Sequence, residues 1–141
     1  MAKFDLIGLG NALVDSEFHV TDSFLKKKGF EKGTMHLVDS DEQTNLLNSL
    51  EKEYGKPSLA CGGSATNTIF AASILGSSCS YICKVGNDKN GNFYLDDLSD
   101  AGVNIDHSVM LDSNINSGTC TVMVSPDAVS YTHLRAHETR T

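Results

Sequence analysis

Residues 60–76 read ACGGSATNTIFAASILG. The segment before the glycine pair, SLAC at 58–61, has the make-up of a strand. The segment after it, SATNTIFAASIL at 64–75, has the make-up of a helix, and Gly76 stops it. A strand that enters a helix through Gly62 and Gly63 is the basic unit of an α/β fold. Glycine lets backbone approach a neighbour with no side chain between them. The first amides of the helix have no intrahelical partner and point outward, and Asn67 in its first turn can reach the same space. Two readings are open. One is a tight turn with close helix–sheet packing, helped by Ala65, Ala71, Ala72 and Ser73. The other is one wall of a ligand pocket. A Walker-type phosphate loop is excluded, because no G-K-[ST] follows.

Outward from this stretch the pattern repeats. KFDLIGLG at 3–10 reads as a buried strand ending in a glycine turn. ALVDSEFHV alternates as a second strand. Thr21 or Asp22 can cap a short helix through SFLKKK that Gly29 ends. TMHLV at 34–38 is a short strand. DSDEQTNLLNSLEKEYG reads as a helix with Ser40 and Gln43 at capping-box spacing. Its apolar stripe is Leu46, Leu47, Leu50 and Tyr54. SCSYICKVG is a strand. KNGNFYLDDLSDAG is a helix capped by Asp88 or Asn87, with Phe93, Leu95, Leu98 and Ala101 partly in register. HSVML at 107–111 and GTCTVMV at 118–124 are strands. Alternation of strand and helix predicts α/β with a largely parallel core sheet. The short strands near 13–20, 34–38 and 118–125 break the alternation and predict a small separate sheet.

The bulk properties are those of a globular domain with a real core: 141 residues, 40% hydrophobic and 21% charged. No apolar run is long enough to span a bilayer. The N-terminus lacks a signal-peptide pattern, so a cytoplasmic location is the default expectation. A net charge of −7 disfavours phosphate backbones, so no nucleic-acid partner is expected. Cys61, Cys79, Cys83 and Cys120 form no C-x-x-C pair and read as buried, reduced thiols.

The end of the chain reads differently. All nine basic residues before Val129 are lysines, whereas both arginines, Arg135 and Arg140, fall in VSYTHLRAHETRT. This segment fits neither a helical nor a strand period, and it cuts off GTCTVMV without completing a hairpin. His133 and His137 lie at i and i+4 but lack a third ligand, so no metal site is expected. Residues 129–141 read as a non-native tail, such as an adapter or assembly scar, which makes 1–128 an N-terminal fragment.

GLGNAL at 8–13 invites a dinucleotide reading, but the third glycine position holds Leu13 and the following residues alternate like a strand. Asn11 and Asp15 are the better clue. They sit past the carboxyl end of the first strand, where open α/β sheets bind ligands. An amide and a carboxylate can together read vicinal hydroxyls, or they can simply cap a turn and face solvent.

Taken together, DLIGLGNALVD, CGGSATNTIFAASILG, VGNDKNGNFYLDDLSDAGVN and SGTCTVMVSPDA occur in the order and spacing of one family. From Phe4 to Ala128 the chain resembles the ribokinase-like, or phosphofructokinase-B-type, carbohydrate kinases. The GNALVD start looks most like bacterial adenosine-kinase-like members. The resemblance implies a three-layer α/β/α sandwich with a small β-sheet lid, here truncated. It implies transfer of the ATP γ-phosphate, with Mg2+, to a primary hydroxyl of a nucleoside or sugar, adenosine-type favoured over ribose or fructose. By position, Asn11 and Asp15 would contact substrate hydroxyls, and Gly62, Gly63 and Asn67 would line the same pocket. The family's catalytic aspartate lies in a later G-A-G-D motif that is absent here, and so is the ATP site. No catalytic residue and no metal ligand is therefore assigned in this chain, which is expected to be inactive alone. The alternative is a non-catalytic module that binds a sugar or nucleoside. A lid-mediated homodimer is a further implication of the resemblance. Loss of later sheet strands would leave an open, apolar edge.

Overall fold

A computed structural model describes residues 3–106, 110–127 and, as backbone, 130–135. The chain divides into two compact units. The first holds the described residues up to Val14 and those from Ala60 to Gly118. The second holds Asp15–Leu59 and the described residues from Thr119 to Arg135.

In the first unit, β1 (Leu6–Leu9) and β5 (Cys79–Ile82) pair in parallel, with Leu6 opposite Cys79 and Leu9 opposite Ile82. Helix α3 (Ser64–Ile74) packs on both strands. Strands β6 (Val85–Gly86) and β7 (Leu111–Asp112) form a second parallel pair, and α4 (Lys89–Asp100) contacts β6. The core gathers Val14, Ile69, Tyr81, Val85, Leu95 and Leu98. The sequence stripe of α4 missed Tyr94, which is fully buried. It lies next to Leu95 on the buried face of the helix, and its hydroxyl finds partners inside.

The expectation that β1 is a buried strand is corrected. Ile7 is 62% and Leu9 75% exposed, and Ile82 on β5 is 47% exposed. A parallel sheet is normally covered on both faces. Helix α3 packs on β1 and β5, but these three apolar side chains remain open to solvent.

In the second unit, α1 (Asp22–Lys28) is capped by the Thr21 side chain, and α2 (Ser40–Tyr54) by Asp39. The Asp39 carboxylate accepts from the amides of Asp41 and Glu42 at 2.9 and 2.8 Å. The capping box expected from Ser40 and Gln43 is therefore not the device used. Gln43 is 3% exposed. Its amide nitrogen donates to Thr121, and its oxygen accepts from Thr119 at 2.9 Å. A buried amide needs such partners, and both lie on β8 (Gly118–Val124). Leu46 and Leu50 of the stripe pack with Phe18, Phe24, Leu25 and Met123, while Leu47 and Tyr54 are partly buried against them.

The larger sheet runs β3 (Met35–Leu37), β9 (Ser130–Arg135), β8, β2 (Leu13–His19), β4 (Ser58–Gly62). The short strands near 13–20, 34–38 and 118–125 thus share one sheet. Strand β9 pairs antiparallel with β8, Val124 opposite Ser130 and Thr119 opposite Arg135. The expectation of an unfinished hairpin is overturned. Ladder hydrogen bonds use main-chain groups, which every non-proline residue carries, so a segment without apolar alternation can still pair. The expected strand at 107–111 lies mostly outside the described residues, and Leu111 opens β7.

Candidate functional site

The strand-to-helix turn at Gly62–Gly63 is built without a side-chain cap. Gly63 is the N-cap of α3 with φ 110° and ψ 134°, a conformation that side chains rarely adopt. A Cβ there would lie 2.8 Å from the Asn11 carbonyl oxygen and 3.2 Å from Thr66 Oγ1. A Cβ on Gly10 would lie 2.7 Å from the Tyr81 hydroxyl and 2.9 Å from Ala65 Cβ. The loop after β1 and the glycine pair before α3 therefore touch through bare backbone.

Beneath them lies a hydroxyl network that sequence reading missed. Thr66, Tyr81 and Tyr94 are all fully buried. Thr66 donates to the Tyr81 hydroxyl at 2.9 Å and also contacts the Tyr94 hydroxyl. Tyr81 donates to the Asn11 carbonyl at 3.5 Å, and Tyr94 to the Gly62 carbonyl at 3.3 Å. Carbonyls only accept, so the two tyrosine protons go to Asn11 and Gly62. The single Thr66 proton is left to serve two tyrosine oxygens. Burial pushes both phenols up from their ordinary range, against the lowering effect of Thr66. They stay neutral, as donors to carbonyls must. The network ties the two loops to one buried threonine.

A hollow of about 400 Å³ opens just past the carboxyl ends of both β1 and β5. Its polar lining is Asn11, Lys84 and Asn116, and its apolar lining includes Leu13, Ile82 and Ile115. Asn11 is exposed into it. Asn67 is also exposed, but it lines a different hollow of about 210 Å³ with Cys61 and Asp97. The structure thus brings Asn11, Gly62 and Gly63 together and sets the Asn67 side chain apart from the Asn11 cavity.

The G-x-D-x-x-G turn at 86–91 is a helix cap, with Asp88 as the N-cap residue of α4. Burial pushes its carboxyl up, but hydrogen bonds from Ser117, Gly91 and Asn90 outweigh that and hold it below the ordinary value.

Asp15 belongs to the second unit, on β2. It is half-buried, and the Cys120 thiol donates to it. Desolvation raises its pKa from 3.8, against the lowering effect of that thiol. Burial, with the Asp15 charge beside it, pushes the Cys120 thiol up to about 12, and burial raises Cys83 to about 11. Both are inert thiols in the physiological range. All four cysteines are free of disulfides.

The Asp15 shift has a sign that can be measured. The folded state holds its proton more tightly than the unfolded state, so stability falls as pH rises from 3.8 through the raised value. Asp15→Asn is expected to be more stable than the parent chain at pH 7. The gain should shrink as pH falls toward the ordinary carboxylate range. Urea unfolding at both pH values checks this, and a variant less stable at pH 7 would refute it.

Among the described residues no three His, Cys, Asp or Glu side chains are grouped so as to hold a metal ion. No helix among them is long and apolar enough to cross a membrane.

The family model described as pfkB family carbohydrate kinase matches residues 34–140. The chain is 30% identical over 122 residues to adenosine kinase 2 of Arabidopsis thaliana, covering 84% of this chain and 34% of that one. It is 40% identical over 63 residues to a ribokinase of Dictyostelium discoideum, covering 45% of this chain and 20% of that one. The crystal structure of adenosine kinase from Sinorhizobium meliloti superposes with TM-score 0.74 at 32% identity, over 94% of this chain and 40% of that one. Adenosine kinase from Anopheles gambiae, solved with P1,P4-di(adenosine-5) tetraphosphate, has TM-score 0.77 at 22% identity, over 93% of this chain and 39% of that one, a likeness of fold. The chain spans about a third of the length of the curated adenosine kinase it matches.

Proposed function

The chain belongs to the pfkB family of carbohydrate kinases, and from that premise we propose that it supplies the substrate-binding part of an ATP- and Mg2+-dependent kinase acting on a nucleoside of the adenosine type. The observation that carries the reading is the cavity past the ends of β1 and β5. In open α/β sheets ligands bind at the carboxyl ends of strands. A volume of about 400 Å³ falls within the range of small-molecule sites. Its mixed walls suit a molecule with a flat apolar part and a hydroxylated part. Leu13, Ile82 and Ile115 would pack on a base, while Asn11 and Asn116 would bond to hydroxyls or ring nitrogens. A free pentose or hexose carries hydroxyls all round and would leave those apolar walls without a partner.

In this reading the residues divide their tasks. Asn11 offers its amide to the substrate. Gly63 keeps the space beside the Asn11 loop clear of side chains, and Gly62 anchors that turn through its carbonyl. Asp15, on β2 of the second unit, and Asn67, in the smaller hollow, do not line this cavity and are given no contact with the substrate there. Bound ATP and Mg2+ would supply the phosphoryl group and neutralise its charge. Among the described residues no three His, Cys, Asp or Glu side chains are grouped so as to hold the metal, and no step of transfer is assigned to them. The chain by itself is expected to form no AMP from adenosine and ATP.

Isothermal titration of the 141-residue chain with adenosine, D-ribose and D-fructose tests the substrate class. Adenosine is expected to bind at least about tenfold more tightly than either sugar, equivalent to about 1.4 kcal/mol. Ribose binding as tightly as adenosine would replace this reading with a ribokinase-type one.

A further inference from the structure

We propose that Ile115–Asn116 is a specificity-determining wall of the cavity, and that Asp88 is the positioning residue that holds it there through Ser117. The proposal rests on the reading of the cavity as the nucleoside site. Ile115 and Asn116 line the same hollow as Asn11. They lie on the short connection between β7 and β8, and Ser117, the next residue in the chain, is held firmly. Ser117 is 5% exposed. Its amide donates to Asp88 Oδ2 at 2.9 Å and its hydroxyl to Asp88 Oδ1 at 2.8 Å. The same hydroxyl accepts from the Gly86 amide at 3.0 Å.

Asp88 therefore has two tasks. Oδ1 caps α4 by accepting from the Gly91 amide at 2.8 Å. The bonds to Ser117 serve no part of the helix. They fix a separate segment of chain whose nearest side chains face the cavity. Gly86 is pressed against the same segment, since a Cβ there would lie 2.6 Å from the Ile115 carbonyl oxygen and 2.7 Å from the Ser117 amide nitrogen. All these groups belong to the first unit. A carboxylate is suited to the arrangement because it accepts at both oxygens. An amide in its place accepts at one oxygen only, yet asparagine is as good a helix N-cap as aspartate.

That difference provides the test. Asp88→Asn is expected to keep the α4 cap and release the Ser117 segment. Ser117→Ala should release the same segment by another route, without touching the cap. In proton–nitrogen spectra of the 141-residue chain, both variants should shift the Ile115, Asn116 and Ser117 amides and speed their hydrogen exchange about tenfold. The amides of the first α4 turn should stay in place. Adenosine affinity should fall about tenfold in both, the scale of one hydrogen bond to a charged group, and Asn116→Ala should lose affinity to a similar degree. The proposal is overturned if the segment's amides are unmoved in both variants. It is equally overturned if they move and adenosine affinity does not. If the parent chain fails to bind adenosine, the nucleoside reading and the specificity role fail together. The amide shifts then still decide whether Asp88 holds the segment.

Discussion

Gly91→Ala is expected to destabilise the chain by about 3 kcal/mol or more, the upper end of the cost of overpacking. In an ordinary helix this substitution would help, since glycine costs about 1 kcal/mol relative to alanine. Here the opposite effect wins. Gly91 is buried in the first turn of α4, and a Cβ on it would lie 2.0 Å from the Gly86 carbonyl oxygen and 2.8 Å from Ser117 Oγ. The first obstacle is backbone, and it cannot rotate away. Gly86 cannot easily retreat either, because its amide is bonded to Ser117 and the Ile115 carbonyl lies close against it. A folded domain is stable by about 5–15 kcal/mol in total, so the loss is a large share of it. Urea unfolding measures it as a lowered midpoint with an unchanged slope. A midpoint at or above that of the parent would mean that helix propensity outweighs the contact, and that the close approach of α4 to β6 is wrong.

Gly63→Ala is expected to cost a similar amount by a different mechanism. The residue has φ 110°, where a side chain brings strain of about 1–3 kcal/mol. The new Cβ would also lie 2.8 Å from the Asn11 carbonyl oxygen, adding about 1–3 kcal/mol of overpacking. Relief requires the loop after β1 to move. That loop carries Asn11, and its carbonyl is the acceptor of Tyr81. The variant should therefore lose stability and, where still folded, bind adenosine at least about tenfold more weakly. Unfolding curves and titration read the two effects separately. Unchanged stability would show that the positive φ is not a requirement of this turn. Unchanged affinity in a folded variant would separate the turn from the ligand.

The two glycines illustrate how far the chain could be read unaided. GGSATN announced a strand-to-helix turn, and α3 starts at Ser64 as its pattern predicts. Asp88 was legible as a cap because N-cap chemistry is local, lying within three residues of the amide it serves. The same holds for Thr21. The capping box at Ser40 and Gln43 misled because Asp39 offered the same local chemistry one residue earlier, and Gln43 was drawn to Thr119 and Thr121. No local rule ranks a cap against a buried partner 76 residues away. Strand β9 was missed because main-chain pairing leaves no mark in side-chain period.

Sequence by itself determined the order and kind of most elements, the α/β class and the family resemblance, because period, turn residues and caps act over a few neighbouring residues. Tertiary structure decided which polar groups meet. It buried Thr66, Tyr81 and Tyr94 in one network under the Asn11 and Gly62 carbonyls. It placed Asn67 in a different hollow from Asn11, and it gave Asp88 a second partner in Ser117. A hydrogen bond is set by distance and angle within a few tenths of an ångström. Residue type states only what a side chain can donate or accept. Which partner comes within reach is settled when helices and strands far apart in the chain pack together.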